Sequence, residues 1–292
     1  MIYDLRITIW FKRAALALLL STLNHQLSTA FAQGSLTPPG SPAPTMKSAD
    51  QIYAQIIGPR TPISSAPFNI TNSGSYYLTT NLTVSSGDGI DINTNAVTLD
   101  LNGFTISSTA GSATGDGISL NSSYVGNSDI TIFNGHICGG FVDGIGLGHG
   151  YTPANVVVSK VSVSGVSDNG ISLGHSDATV VEACTVTSAG GNGISASNIK
   201  GSVAVSCGGS GIDGDVVADC WGYSFGSQTG VEASFTAQNC YGRSDSGTGL
   251  QARIAIGCMG FSSSGIGLQA TNATSCYVAH GTTNIVNKYD MP

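Results

Sequence analysis

Charge is what this sequence has least of. Only 9% of its 292 residues are Asp, Glu, Lys or Arg, and the helix formers Glu, Lys and Arg are nearly absent. Surface helices are built from those residues, so a helical protein is disfavoured from the outset. No C-x-x-C spacing and no histidine pair accompanies the seven cysteines, which argues against a zinc site. Beyond the N-terminal region no apolar run is long enough to cross a bilayer of roughly 30 Å. Basic residues number 10 against 17 acidic ones, giving a net charge of −7, which argues against nucleic acid and anionic membranes as partners. Low charge with 40 glycines would suit a disordered chain, but 41% hydrophobic content in a regular period argues for a packed one.

What the sequence has instead is a returning phrase: a small or turn residue, then Gly, then an aliphatic residue. The copies are Asp88-Gly89-Ile90, Asp116-Gly117-Ile118, Asp143-Gly144-Ile145, Asn169-Gly170-Ile171, Asn192-Gly193-Ile194, Ser210-Gly211-Ile212, Thr229-Gly230-Val231 and Thr248-Gly249-Leu250, with Gly267-Leu268 as a ninth. Glycine to glycine the steps are 28, 27, 26, 23, 18, 19, 19 and 18 residues. Such self-similarity sets the architecture before any local reading. Between the glycines lie short β-branched runs such as Val97-Thr98-Leu99-Asp100-Leu101 and Val156-Val157-Val158, each ending at a small residue. That column reads Gly103, Gly135, Val161, Cys184, Cys207, Cys220, Cys240, Cys258 and Cys276, a mean step of about 22 residues. Two or three brief strands per turn with Gly, Ser and Asn at the corners make an all-β, single-stranded parallel β-helix, a solenoid of about nine coils.

The column also decides the cysteine chemistry. Six thiols on successive coils, with parallel strands roughly 4.8 Å apart, point the same way. Converging Cβ vectors for disulfides are then not available, and a buried thiol ladder is expected. Cys138 falls outside it.

In chain order, residues 1–32 read as a secretory signal peptide: Arg6, Lys12 and Arg13, an apolar core from Ala14 to Leu20, and Ala30-Phe31-Ala32 before the cleavage point. Its removal takes the formal charge to −9 and leaves no transmembrane segment, so the expected location is outside the cell or on its surface. Residues 33–67 form a Pro-rich leader, with a short helix expected within Met46–Ile57 and Ser48 as its N-cap. Residues 68–86 are read as N-terminal cap strands that cover the open end of the solenoid, 87–278 as the β-helix, and 279–292 as a C-terminal cap or tail.

The segments Leu36-Thr37-Pro38-Pro39-Gly40, Arg60-Thr61-Pro62-Ile63-Ser64, Gly74-Ser75-Tyr76-Tyr77-Leu78, Val97 through Phe104 and Asn287-Lys288-Tyr289-Asp290-Met291-Pro292 resemble a family of secreted bacterial right-handed parallel β-helix proteins. The resemblance spans essentially the whole mature chain. It implies the pectin-lyase-like fold, its right-handedness and export; the family is largely uncharacterised, so it implies no activity.

Pectate lyases and polygalacturonases share that fold. Gly148-His149-Gly150 matches a short polygalacturonase motif and Arg253-Ile254 the start of another, but Asn93-Thr94-Asn95 lacks the family's carboxylate and no Asp-Asp pair lies between. Hydrolysis needs two carboxylates at a defined separation, so His149, Asp116 and Asp143 are weak catalytic candidates. Asp88, Asp116 and Asp143 occupy one corner of successive coils, followed by Asn169 and Asn192, as a turn ladder would. Stacked carboxylates repel unless a cation lies between them, so calcium is the one cofactor to consider, with those three as weak ligands. Asp213 and Asp215 share a face and, without a basic partner, read as solvated or turn residues.

If the cysteines point inward, the residues that follow point outward. Trp221, Tyr241, Met259 and Tyr277 then form one outward column, and Tyr223, Arg243 and Phe261 the next. An exposed aromatic stripe marks an interaction site for a polysaccharide or cell-surface glycan, or for a protein partner, including a second copy. The favoured reading is a non-catalytic extracellular protein that binds through this side face. The alternative is a lyase or glycoside hydrolase acting on an acidic polysaccharide.

Overall fold

The computed structural model describes residues 48, 52, 58, 60–120, 128–147, 153–175 and 178–289, without the side chains of 284 and 286–289. The chain separates into Met1–Ile56 and Ile57–Pro292. In the first unit the Ile52 amide donates to the Ser48 carbonyl at 2.9 Å, a helical bond inside the expected Met46–Ile57 segment.

The second unit is a parallel β-helix. Its strands run from Arg60–Ile63 to Tyr277–Tyr289, and every strand pairs in parallel with its counterpart on the next coil. Stacking begins at Arg60 rather than at Gly87. Arg60–Ile63 pairs with Gly74–Leu78, and Phe68–Ile70 with Ile90–Ile92, so the segment expected to be a cap is itself the first coil. The tail from Tyr277 likewise pairs in parallel with Met259–Thr274 as a last coil, with shifts of register between Gly260 and Leu268.

The glycine phrase has a steric cause. A Cβ on any of the nine glycines would sit no farther than 2.6 Å from a backbone carbonyl oxygen of the next coil, in eight of them that of the next phrase glycine. Only a residue without a side chain lets the coils approach this closely. The N–H of each of the first eight also donates to the coil above, for example Gly144 to the Asn169 carbonyl at 3.0 Å and Gly170 to that of Asn192 at 2.9 Å. Beside this stack runs a second ladder: Asp88, Asp116, Asp143, Asn169 and Asn192 each accept, through Oδ1, the backbone N–H of the equivalent residue one coil on, at 2.6–3.2 Å. Turn and stacking roles are therefore divided between neighbouring positions.

The cysteine column is shorter by one than its spacing suggests. Cys184 N–H donates to Ser202 Oγ and Ser202 N–H to Cys220 Sγ, so Ser202 holds the position assigned to Cys207. Cys207 pairs instead with Ser224, heading a different inward column that continues as Ser244 and Ser262. At the N-terminal end of the expected column Leu101, not Gly103, is the buried residue against Gly135; Gly103 is exposed at the corner with φ of 76°. Corners before the column turn in the left-handed region, as at Asp219 (φ 55°), Asn239 (52°) and Ser275 (52°). All seven cysteines are free, and the six inward ones are buried. Burial and the neighbouring thiols push Cys258 up to about 11 and Cys240 to about 12, with the thiol of Cys220 heading the causes for Cys240 and that of Cys240 for Cys258.

Candidate functional sites

The outward stripe exists. Trp221 pairs with Tyr241, Tyr241 with Met259, and Met259 with Tyr277, all pointing away from the core. Trp221 is 44% exposed and Tyr277 54%. The Trp221 and Tyr241 rings lie 6.2 Å apart, tilted by 34°. The adjacent column is Tyr223, Arg243, Phe261 and His280. Here the Arg243 guanidinium lies 4.6 Å from the Tyr223 ring centroid and 5.4 Å from that of Phe261, which in turn lies 5.4 Å from the His280 ring. Asp245 accepts from the Tyr223 hydroxyl at 3.1 Å and sits 3.7 Å from Arg243. The guanidinium is thus fixed between two rings and a carboxylate, a rigid arrangement with little rotamer freedom left. Phe225, 53% exposed on the same strand end, and His280 belong to this surface and escape the sequence pattern.

A second surface follows the glycine phrase. One residue after the Gly-aliphatic pair, the later coils carry Ser195, Asp213, Glu232, Gln251 and Gln269 in continuous register, with Ser195 buried and the other four partly exposed. Sequence reasoning left Asp213 and Asp215 as solvated because no basic partner was near in the chain. The partner is His175, 40 residues before Asp215 and two coils away. Its Nε2 lies 3.2 Å from Asp213 Oδ1 and its Nδ1 3.2 Å from Asp215 Oδ1. The two carboxylates raise the His175 pKa, overcoming the burial that opposes them. Glu232, on the next coil, is raised by burial first and by Asp213 second. From Glu232 a groove of about 450 Å³ runs along the solenoid axis, lined by Gln251, Arg253, Gln269 and Thr271 over a floor of Ala233, Ala252 and Ala270.

The early acidic corner is a different environment. Burial, then Asp143, pushes Asp116 up to about 7; burial and then Asp88 push Asp91 up to about 6; and burial raises Asp143. The Oδ1 atoms of Asp88, Asp116 and Asp143 are each committed to the next coil's amide. Among the described residues no three His, Cys, Asp or Glu side chains are arranged to hold a metal ion. The calcium expectation at Asp88, Asp116 and Asp143 therefore finds no support in the ligand geometry. His149 lies outside the described residues, as do the segment read as a signal peptide and residues 121–127 and 148–152.

No protein-family model matches the chain, and no curated protein matches it. Among solved structures, the crystal structure of the bacteriophage CBA120 tailspike protein 2 enzymatically active domain aligns at 12% identity with a TM-score of 0.20. The alignment covers 81% of this chain and 42% of that one, so the chain spans less than half the length of this neighbour. At that score the likeness carries no weight, and the parallel β-helix stands on its strand register.

Proposed function

We propose that this is an exported β-helix protein whose aromatic side face binds polysaccharide. The observation that carries the reading is the Trp221–Tyr241–Met259–Tyr277 column, exposed and in register with Tyr223–Arg243–Phe261. Coil rise spaces these groups about 4.8 Å apart along the axis, so they present a flat ladder rather than a patch. A linear glycan can lie on such a ladder with its ring faces on the aromatic faces and its hydroxyls toward Arg243 and Asp245. A stable protein interface needs about 800 Å² per partner with an apolar, charge-poor centre. This strip is only two residue columns wide, which favours the glycan.

The mature chain would keep Trp221 as its one tryptophan, since Trp10 lies within residues 1–32, the expected signal peptide. Its emission is expected to be solvent-like and to shift saturably with a binding polysaccharide, and Tyr241→Ala is expected to weaken that binding at least tenfold, about 1.4 kcal/mol. Emission that is blue from the start, or that no neutral or acidic polysaccharide moves, refutes the reading. A shift on concentrating the protein alone would give the stripe to self-association instead.

A further inference from the structure

The second outward column carries chemistry that glycan binding on the stripe does not use. We propose that Glu232 and Asp213 are an acid and a nucleophilic carboxylate that hydrolyse a glycosidic bond of a polysaccharide lying in the groove over Gln251 and Gln269. The proposal rests on the glycan reading above but not on the aromatic stripe itself.

Three features support it. Asp213 and Glu232 are register partners on adjacent coils and both point outward, so their carboxyl groups emerge side by side from strands about 4.8 Å apart. A strand spacing of that size allows the short carboxyl separation, about 5–5.5 Å, through which a double displacement runs. Their surroundings differ. Asp213 Oδ1 lies against the His175 imidazole, which Asp215 orients through the other ring nitrogen, whereas among the described residues Glu232 has no ion-pair partner. Burial and the Asp213 charge favour the protonated form of Glu232. A carboxyl favoured in its protonated form beside one held by an imidazole fits the pairing of an acid with a nucleophile. The groove then extends from Glu232 alone, with Gln251 and Gln269 repeating an amide at each coil and Arg253 beside them. These groups offer paired donors and acceptors to successive sugar hydroxyls.

The balance is simple. Glu232 gives its proton to the bridging oxygen as the bond from that oxygen to the anomeric carbon breaks. Asp213 Oδ2 bonds to the anomeric carbon, forming a glycosyl ester, and the alcohol leaves. Water then attacks the same carbon and loses a proton to the Glu232 carboxylate, and the ester bond breaks to restore Asp213. The sum is glycoside plus water giving a hemiacetal and an alcohol, with anomeric configuration retained. His175 is a positioning residue that fixes the attacking carboxylate.

The test uses the full chain with xylan, galactomannan, dextran, polygalacturonate, alginate and hyaluronate, scoring reducing ends and the ultraviolet absorbance of unsaturated ends. At least one should yield reducing ends without unsaturated ones. E232Q and D213N should each lower the rate 100-fold or more. On an aryl glycoside of the released sugar, whose leaving group needs no proton, E232Q should recover most of its rate and D213N should not. Q251A, with both carboxyls intact, should raise KM more than it lowers kcat. No reducing ends from any of the polysaccharides at any pH overturns the proposal, as does an E232Q and D213N pair that remains active, or a product with unsaturated ends. A polysaccharide that shifts Trp221 emission but is not cleaved refutes the groove and leaves the stripe. Cleavage without a Trp221 response supports the groove and refutes the stripe.

Discussion

Asp116→Asn should stabilise the protein, and only above acidic pH. The carboxyl of Asp116 is pushed up to about 7 from an ordinary 3.8, first by burial, then by Asp143, Asp88 and Asp91. A folded-state pKa above the unfolded one means the native state holds an extra proton between about pH 4 and about pH 7. Its contribution to stability is fully present below the unfolded value and is lost as pH rises through the folded one. The shift of about three pH units corresponds to ~4 kcal/mol at ~1.4 kcal/mol per unit. The group is half-buried, and screening by the water it still meets halves that figure to about 2 kcal/mol. Asparagine removes the charge but keeps the amide oxygen that must accept the Asp143 N–H, now 3.2 Å away. Asn169 and Asn192 already do this in the same column, at 2.9 and 2.8 Å. Urea unfolding followed by circular dichroism should therefore place wild type and variant within ~0.5 kcal/mol near pH 4 and about 2 kcal/mol apart, in favour of the variant, near pH 8. A difference that does not change with pH, or a variant that is weaker near pH 8, would refute the reasoning.

Gly170→Ala should cost about 3 kcal/mol or more, because its Cβ would meet Val186 and come within 2.5 Å of the Gly193 carbonyl oxygen; a thermal melt measures it, and a neutral result would sink the steric account of the phrase. A thiol reagent applied near neutral pH should label Cys138 alone in the native protein and all seven cysteines in denaturant, because the other six are buried; fast labelling at Cys240 or Cys258 would contradict the inward ladder. Excising Tyr241–Cys258 should leave a folded protein in which Trp221 meets Met259, since this removes one whole coil and preserves every inward position; loss of cooperative unfolding would show that stability is not a sum of neighbour terms.

Much of the architecture is legible in the sequence because stacking is a one-residue requirement repeated every coil. The Gly-aliphatic phrase, the outward Trp221 column and the Asp/Asn corner ladder all follow from position within the period. The errors have one cause: reading residue type ahead of spacing. Cys184 to Cys207 is 23 residues and Cys207 to Cys220 is 13, whereas Ser202 lies 18 from each neighbour in the column. Serine satisfies the inward position as thiol does, by donating to a nearby carbonyl, here that of Lys200 at 3.0 Å. The polar column was legible too, one residue beyond the phrase, as Asp213, Glu232, Gln251 and Gln269. What no local pattern shows is His175, which reaches Asp213 and Asp215 across an intervening coil.

Coil length explains why the aromatic groups are outside where they are. The early coils, with steps of 26 to 28 residues, enclose Ile90, Ile92, Leu99, Leu101, Ile106 and the fully buried Phe141. The late coils, with steps of 18 or 19, keep a buried aliphatic at each phrase (Ile212, Val231, Leu250, Leu268) and Val217, but fill much of a shorter perimeter with Ala233, Ala237, Ala252, Ala255, Ala270 and Ala273, the thiols and buried serines. A ring cannot enter that space without overpacking it. Trp221, Tyr223, Tyr241, Phe261 and Tyr277 therefore gain contact area only by packing on one another across coils, on the outer face. Shortening the coil narrows the core and at the same time sets the rungs of both outer ladders in strict register. One extra residue between Ala233 and Thr236 is absorbed as a bulge opposite Gly214–Val216, and both the Asp213–Glu232 and the Trp221–Tyr241 rungs keep their pairing around it. The small interior and the two outer surfaces are consequences of one choice, the 18-residue turn.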